Sequence, residues 1–324
     1  MQPDERLSGS RLESAGGASR IAVEGRDVPD SDVTTLARRL GLPVFRRESK
    51  TDASTRGSEA DTMAIGTDDG SGPAVDAVLT LTPERLELAL RTGAPEIVGG
   101  RPVFADPAAL DARTAAGLSR KQPIVLACGL RKKGPKPFVL DGTAGYGEDA
   151  WLLAAMGCRV LAVERHPVVF ALLEDGVRRV RGRYPEAGAR LLARHADALS
   201  ALRLLSEGRM AELLAGRSEG RIPGVLPDDL DGLPERPDVV YLDPMYPGAD
   251  KRKTAERKPL KVLRAVVGED ADDGEPLLRA ALAVARKRVV VKRPLRAEPL
   301  AALPAPTVVH KGKALRYDVY VVSA

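Results

Sequence analysis

From Pro137 onward the chain alternates short apolar runs with stretches of helical periodicity. The apolar runs lie at 138–141, 159–164, 190–195, 238–242 and 288–293. They are near-continuous rather than alternating, as strands covered on both faces require. Helical spacing falls near 147–157, 167–182, 197–206 and 275–287. In the first of these, Ala150, Leu153 and Ala154 form one stripe, widened by Leu152 and Met156. Strands that alternate with helices predict a mainly parallel, doubly wound α/β sheet. The tail, with apolar runs after Pro306 and from Tyr317, predicts a closing hairpin around Gly312.

The pattern before Pro137 is less regular. Residues 1–20 are polar and rich in Gly and Ser, and are expected to be disordered. Ile21 to Val23 reads as a short strand. Ser31 or Asp32 is the expected cap of a helix carrying Val33, Leu36 and Leu40. Pro43 to Phe45 is another candidate strand, and the polar stretch 47–73 reads as a linker. Ala77 to Leu81 is strand-like, with Pro102 to Phe104 as its expected partner, and 107–130 has a helical look. The reading is a small N-terminal α/β subdomain over 21–105 and a larger domain over 106–324. Residues 208–236, rich in Gly, Pro and Asp, read as a surface insertion.

Composition narrows the class. The 324 residues are 44% hydrophobic but only 3% aromatic, so Ala, Leu and Val must fill the core. A net charge of +5 permits a nucleic-acid partner without establishing one. Cys128 and Cys158 are the only cysteines and sit in apolar runs. They read as buried thiols of a reducing compartment rather than a disulfide. His166, His195 and His310 have no Cys partners at metal spacing, so no metal is expected. No apolar run reaches the ~20 residues of a membrane span, and the start lacks a signal-peptide core. A cytoplasmic protein is expected.

The candidate chemistry gathers where strands end. Val139 and Leu140 run into Asp141, and the turn that follows carries Gly142, Gly145 and Gly147 ahead of a helix. Such a turn holds a nucleotide-like ligand at the carboxyl end of a strand. On its own it is a weak signal, since many tight strand-to-helix turns look alike. The next strand ends in Glu164, 23 positions after Asp141, about the spacing at which a carboxylate takes a ribose hydroxyl pair. A later apolar run, Val239 to Leu242, ends in Asp243, Pro244, Met245 and Tyr246.

With these motifs placed, the chain resembles the class I S-adenosylmethionine (SAM)-dependent methyltransferases. More narrowly it resembles the RsmJ family, the small-subunit ribosomal RNA (guanine-N2)-methyltransferases. The resemblance rests on Asp141 to Ala150, Met156 to Val160, Glu164 to Val169, Ala171 to Gly176, Val239 to Pro247 and Arg288 to Pro294. It spans most of 77–324. It implies a Rossmann-like fold, SAM as cofactor, and 16S ribosomal RNA or the small ribosomal subunit as partner. The implied cofactor positions are Asp141, Gly142, Gly145, Gly147, Glu148, Asp149, Glu164, Arg165, Asp197, Ala198 and Asp243. Arg-Asp is more usual in the family where Glu148 and Asp149 stand, and Ser-Ser where Asp197 and Ala198 stand.

For the reaction, Asp243 and the Pro244 carbonyl would orient the exocyclic amine, and Tyr246 would stack on the base. Seven basic residues against one acid in 251–264, with Lys292 and Arg293, suit a phosphate backbone; Lys251, Arg252, Lys253 and Lys258 lead that set. The plainer reading of such a run is a solvated loop. Other readings stay open. Asp-Pro-x-Tyr also suits the exocyclic amines of DNA and the side-chain amide of Gln, and an assembly factor could keep the fold without the chemistry. A NAD-dependent dehydrogenase fits less well, because the full G-x-G-x-x-G signature is missing.

Overall fold

The computed structural model describes residues 20–45, 75–93, 98, 101–109, 119, 121–130, 133–215, 233–244, 258–267, 274–297 and 304–322. They fall into two compact units. One holds the described residues up to Phe104 together with the helix Lys258–Val267; the other holds the rest from Ala105. The helix Lys258–Val267, which lies within 106–324 in sequence, groups with the first unit.

The first unit is built on strands β1 (Ile21–Gly25), β2 (Ala77–Leu81) and β3 (Leu86–Leu90). β1 pairs parallel with β2, and β2 antiparallel with β3. β3 is an element the pattern reading misses, and it changes the expected pairing. It takes the edge of β2, so Val103 bridges Leu88 rather than the 77–81 strand. Val44 makes one parallel bridge to Val23. The helix Asp30–Leu40 begins directly after Pro29, with no side-chain cap, and ends at Gly41 in the left-handed region, φ 65°. Ser31 and Asp32 are therefore inside the first turn instead of capping it. Asp30 and Asp32 there still favour the helix through its dipole.

The second unit carries a seven-stranded sheet. Its strands are β4 (Phe138–Asp141), β5 (Arg159–Glu164), β6 (Leu191–His195), β7 (Val239–Leu242), β8 (Arg288–Pro294), β9 (Val308–Lys311) and β10 (Leu315–Val321). Their order is β6-β5-β4-β7-β8-β10-β9. The first five are parallel, and the closing hairpin runs antiparallel through β10. This is the mainly parallel α/β sheet that the sequence predicts. The helices Glu148–Ala155, Pro167–Arg183, Ala198–Ser206 and Gly274–Val284 lie close to their predicted spans.

Alternate residues of each strand feed two separate cores. Val139, Val160, Tyr241 and Val290 pack with Trp151 and Leu153 on one face. Leu140, Leu161, Leu242 and Val291 pack with Leu202, Leu278 and Ala281 on the other. Covering both faces is what makes the runs read as continuous. Both thiols are buried and unbonded to each other, Cys128 and Cys158 in the first core.

Because the five strands are parallel, their carboxyl ends share one edge of the sheet. Asp141 and Glu164 close β4 and β5 there, and Asp243 follows β7. Leu242 pairs with Val291, so Lys292 on β8 comes level with Asp243. Across from Lys292 on β10 stands Tyr317.

Trp151 is 1% exposed, and its ring lies 5.3 Å from that of Tyr184. Trp151→Ala is expected to cost about 3–5 kcal/mol. Denaturant unfolding followed by circular dichroism would check this.

Candidate active site

The glycine turn after β4 is tied to its neighbours on both sides. Asp141 Oδ1 accepts from the Thr143 amide at 3.2 Å, so this buried carboxylate shapes its own turn. Burial drives the Asp141 carboxyl well above the ordinary carboxylate range, with the Thr143 amide pulling the other way. The Gly142 amide donates to the Tyr241 carbonyl at 3.0 Å, and the Ala144 amide to the Val163 carbonyl at 3.0 Å. The Asp243 amide donates to Thr143 Oγ1 at 2.6 Å, linking the turn to the loop after β7. At two glycines a side chain would force a buried leucine to shift. A Cβ on Gly142 would lie 2.9 Å from Leu242 Cδ2, and one on Gly147 2.6 Å from Leu173 Cδ1. Gly147 is also left-handed, φ 80°, where it starts the helix Glu148–Ala155.

Glu164 is held by backbone amides. Its Oε2 accepts from Gly145 at 3.0 Å and its Oε1 from His166 at 2.8 Å. Burial raises its pKa, and these two amides counter part of that rise. Between Gly145 and Gly147 the Tyr146 hydroxyl is buried, beside the Glu164 carboxylate, with no hydrogen-bond partner among the described residues.

A second polar cluster forms where β7, β8 and the helix Glu148–Ala155 meet. Lys292 Nζ lies 2.8 Å from Asp149 Oδ2 and 2.8 Å from Asp243 Oδ2. The Tyr241 hydroxyl donates to the same Asp149 oxygen at 2.6 Å. Side-chain exposure falls from 39% at Asp243 to 22% at Asp149 and 18% at Lys292. Burial opposes the charge on Lys292, but Asp149 and Asp243 outweigh it and hold the ammonium well above its ordinary pKa. An anionic cluster opens onto the carboxyl edge, with its cation at the back.

This geometry agrees with what the chain is similar to. Residues 71–210 and 225–322 match the sequence model of the family described as "Putative SAM-dependent methyltransferase". Among curated proteins, "Ribosomal RNA small subunit methyltransferase J" of Chromobacterium violaceum is 39% identical over 78% of this chain and 86% of its own length. The protein of the same name from Thioalkalivibrio sulfidiphilus is 40% identical over 78% of this chain and 87% of its own. The crystal structure of a SAM-dependent methyltransferase from Neisseria gonorrhoeae superposes with a TM-score of 0.56. It is 28% identical, with 93% of this chain and 95% of that one covered. The chain belongs to the RsmJ family of class I SAM-dependent methyltransferases.

The RsmJ cofactor is SAM, and the residues at this edge fit it. Glu164 stands at the end of the strand beside the glycine turn, fixed by amides that leave further lone pairs for hydroxyl donors. At Gly142 and Gly147 a side chain would press on Leu242 and Leu173, so these two glycines keep the turn tight against the core beside Glu164. The buried Tyr146 hydroxyl beside Glu164 is a polar group that a ligand there would satisfy.

The other RsmJ positions expected from sequence fall out differently. Asp197 caps the helix Ala198–Ser206, its Oδ2 accepting from the Ser200 amide at 2.9 Å, and Ala198 is buried beside Gly142. Arg165 is exposed, and its carbonyl contacts His195 Nε2 at 2.9 Å. Glu148 opens the helix in which Asp149 turns to Lys292. Pro244 directly follows Asp243; Tyr246, Lys251, Arg252 and Lys253 lie outside the described residues. Lys258 begins the helix Lys258–Val267 of the first unit.

Two expected phosphate contacts are corrected. Lys292 is committed to two carboxylates, and Arg293 is 5% exposed, so neither offers its charge to a nucleic-acid backbone. Sequence reasoning also missed Tyr241 and Tyr317. The available signal was a lysine and two tyrosines inside apolar strand runs, where a charge or hydroxyl needs a buried partner.

Tyr146→Phe removes a buried hydroxyl that no described residue satisfies. It is expected to raise the melting temperature of the cofactor-free protein and to weaken SAM binding roughly two- to tenfold, the worth of one hydrogen bond. Thermal unfolding and titration calorimetry read the two effects separately.

Proposed function

We propose that this protein transfers a methyl group from SAM to the exocyclic N2 amine of a guanosine in small-subunit (16S) ribosomal RNA. The observation that carries the reading is Asp243. It stands at the carboxyl edge directly after β7, next to Pro244, with its amide on Thr143 and its carboxylate on Lys292. The curated relatives, named as small-subunit ribosomal RNA methyltransferases at about 40% identity, support RNA over DNA or protein as substrate.

Bound SAM supplies an electrophilic methyl on its sulfonium. The chain's task is to hold a poor nucleophile in line, because the guanine N2 lone pair is delocalised into the ring. Asp243 accepts a hydrogen bond from N2–H, and the Pro244 carbonyl accepts a second, which together aim the nitrogen. Tyr246 stacks on the base. In-line holding of this kind supplies roughly 7–11 kcal/mol in the best cases. The proton on nitrogen becomes acidic only as the methyl is transferred, so Asp243 then takes it without first acting as a strong base. The target base must be unpaired or flipped out for its edge to reach Asp243.

Lys251, Arg252, Lys253 and Lys258 supply sequence-independent phosphate contacts in this reading. The setting is the cytoplasm, where ribosomal subunits are made. Among the described residues no helix is long and apolar enough to cross a membrane, and no cluster of His, Cys, Asp and Glu could hold a metal.

Purified protein, labelled SAM and unmodified small subunits or their RNA should yield label in N2-methylguanosine after digestion. Asp243→Ala should abolish it while SAM binding is still measurable. Label in DNA or protein alone, or none with SAM bound, would overturn the reading. Lys251→Ala with Arg252→Ala should weaken RNA binding at moderate salt and spare SAM binding, read by filter binding and calorimetry. Unchanged RNA affinity would remove those residues from the interface.

A further inference from the structure

Lys292 breaks an apolar strand run at a cost that packing does not explain. Its neighbours Val289, Val290 and Val291 are fully buried. Its register partner is Tyr317, and the ring of Tyr241 lies 6.5 Å from that of Tyr317 on the same face. Putting an ammonium there costs desolvation, and a buried ion pair is weak evidence of stability in itself. What the lysine does have is two carboxylates from two separate elements, at 2.8 Å each. Asp149 comes from the helix after the glycine turn, and Asp243 from the loop after β7.

We infer that Lys292 is a positioning residue for methyl transfer: its ammonium, clamped between Asp149 and Asp243, keeps the Asp243 carboxylate charged and aimed at the target amine. The inference rests on the reading that Asp243 faces that amine. Without the cation, two carboxylates held within reach of one nitrogen repel each other, so the pair binds one proton more tightly than either acid alone. A protonated Asp243 has lost an acceptor. Lysine is also the shape for this task, a compact point charge with donors for two separate oxygens, where Arg would favour a single bidentate partner.

The other titratable groups around the clamp are Asp141 from β4, Tyr241 from β7, Tyr317 from β10 and Cys128. Burial raises both tyrosines and the thiol and so keeps them neutral, and it raises Asp141 as well. The charge balance at the clamp is therefore set by Asp149, Asp243 and Lys292.

The sign follows. In Lys292→Met the shared proton is held to higher pH, so the acidic limb of the pH–rate profile moves up. Single-turnover methylation of small-subunit RNA at saturating SAM should fall about 100-fold at pH 7 and recover as pH rises. Asp149→Asn in the same chain removes the second carboxylate while its amide oxygen can still take the Tyr241 hydroxyl. The double variant should bring the limb back toward its original position and regain at least about tenfold of the rate at pH 7. Lys292→Arg should keep the limb in place. A loss in Lys292→Met that is equal at every pH, or a double variant no better than the single, would overturn the inference.

Carbon-13 spectra of aspartate-labelled protein test the clamp without any substrate. A second carboxyl titrating above the usual range, in addition to that of buried Asp141, should appear in Lys292→Met and vanish in the double variant. Lys292→Gln carries the same expectation should the methionine variant not fold. Wild-type protein that leaves RNA unmethylated while this titration appears would sink the substrate reading alone. An active wild type, with no such added titration in Lys292→Met, would sink the clamp alone.

Discussion

Covering both faces of a parallel sheet leaves its polar chemistry to gather at the strand ends, and here the site residues gather at the carboxyl edge. Five parallel strands deliver their last residues there together. The apolar cores on either side also make charge expensive beneath that edge. Each acid that arrives has therefore been given partners by the fold itself. Asp141 takes the Thr143 amide, Glu164 takes Gly145 and His166, and Asp149 and Asp243 take Lys292. The 2.6 Å bond from the Asp243 amide to Thr143 then fastens the glycine turn to the loop after β7. The two halves of the site cannot be displaced independently, which is the condition for holding two reactants in line.

The four acids differ in what they hold. Asp141 and Glu164 bond backbone amides, so their main effect is on the shape of the glycine turn. Asp149 and Asp243 bond a cation, so their main effect is on local charge. The same side-chain chemistry thus does two jobs, set by whether an N–H group or an ammonium is within reach.

The larger fold was legible because its signal is redundant. Five apolar runs, the first four each followed by a helical stretch, admit few topologies. The smaller unit lacked that redundancy. β3 carries Glu87 as its second residue, buried against Arg85 at 2.7 Å, and a run broken by a charge does not read as a strand. In the site, Asp141, Glu164 and Asp243 were legible because each ends an apolar run. Lys292 was legible as a charge, but its partner was not. In sequence it sits beside Arg293 and looks like part of a basic patch. In a strand the two side chains point to opposite faces, and only the register of β7 with β8 shows that Lys292 comes level with Asp243. Tyr146 drew no role from the sequence, because nothing in one dimension marks a hydroxyl as buried and without a partner among the described residues.

The clamp also bears on the kind of nucleophile this edge can serve. An ammonium beside a carboxylate makes it a poorer base. That would be a fault in an enzyme that must remove a proton before its nucleophile can attack. It is no fault when the nucleophile is already a neutral amine whose proton turns acidic during the transfer. What such a substrate needs from Asp243 is a fixed, charged acceptor at the moment of attack. A carboxylate anchored by its own amide at one end and by Lys292 at the other supplies that. The basicity given up to the lysine is basicity the reaction does not use.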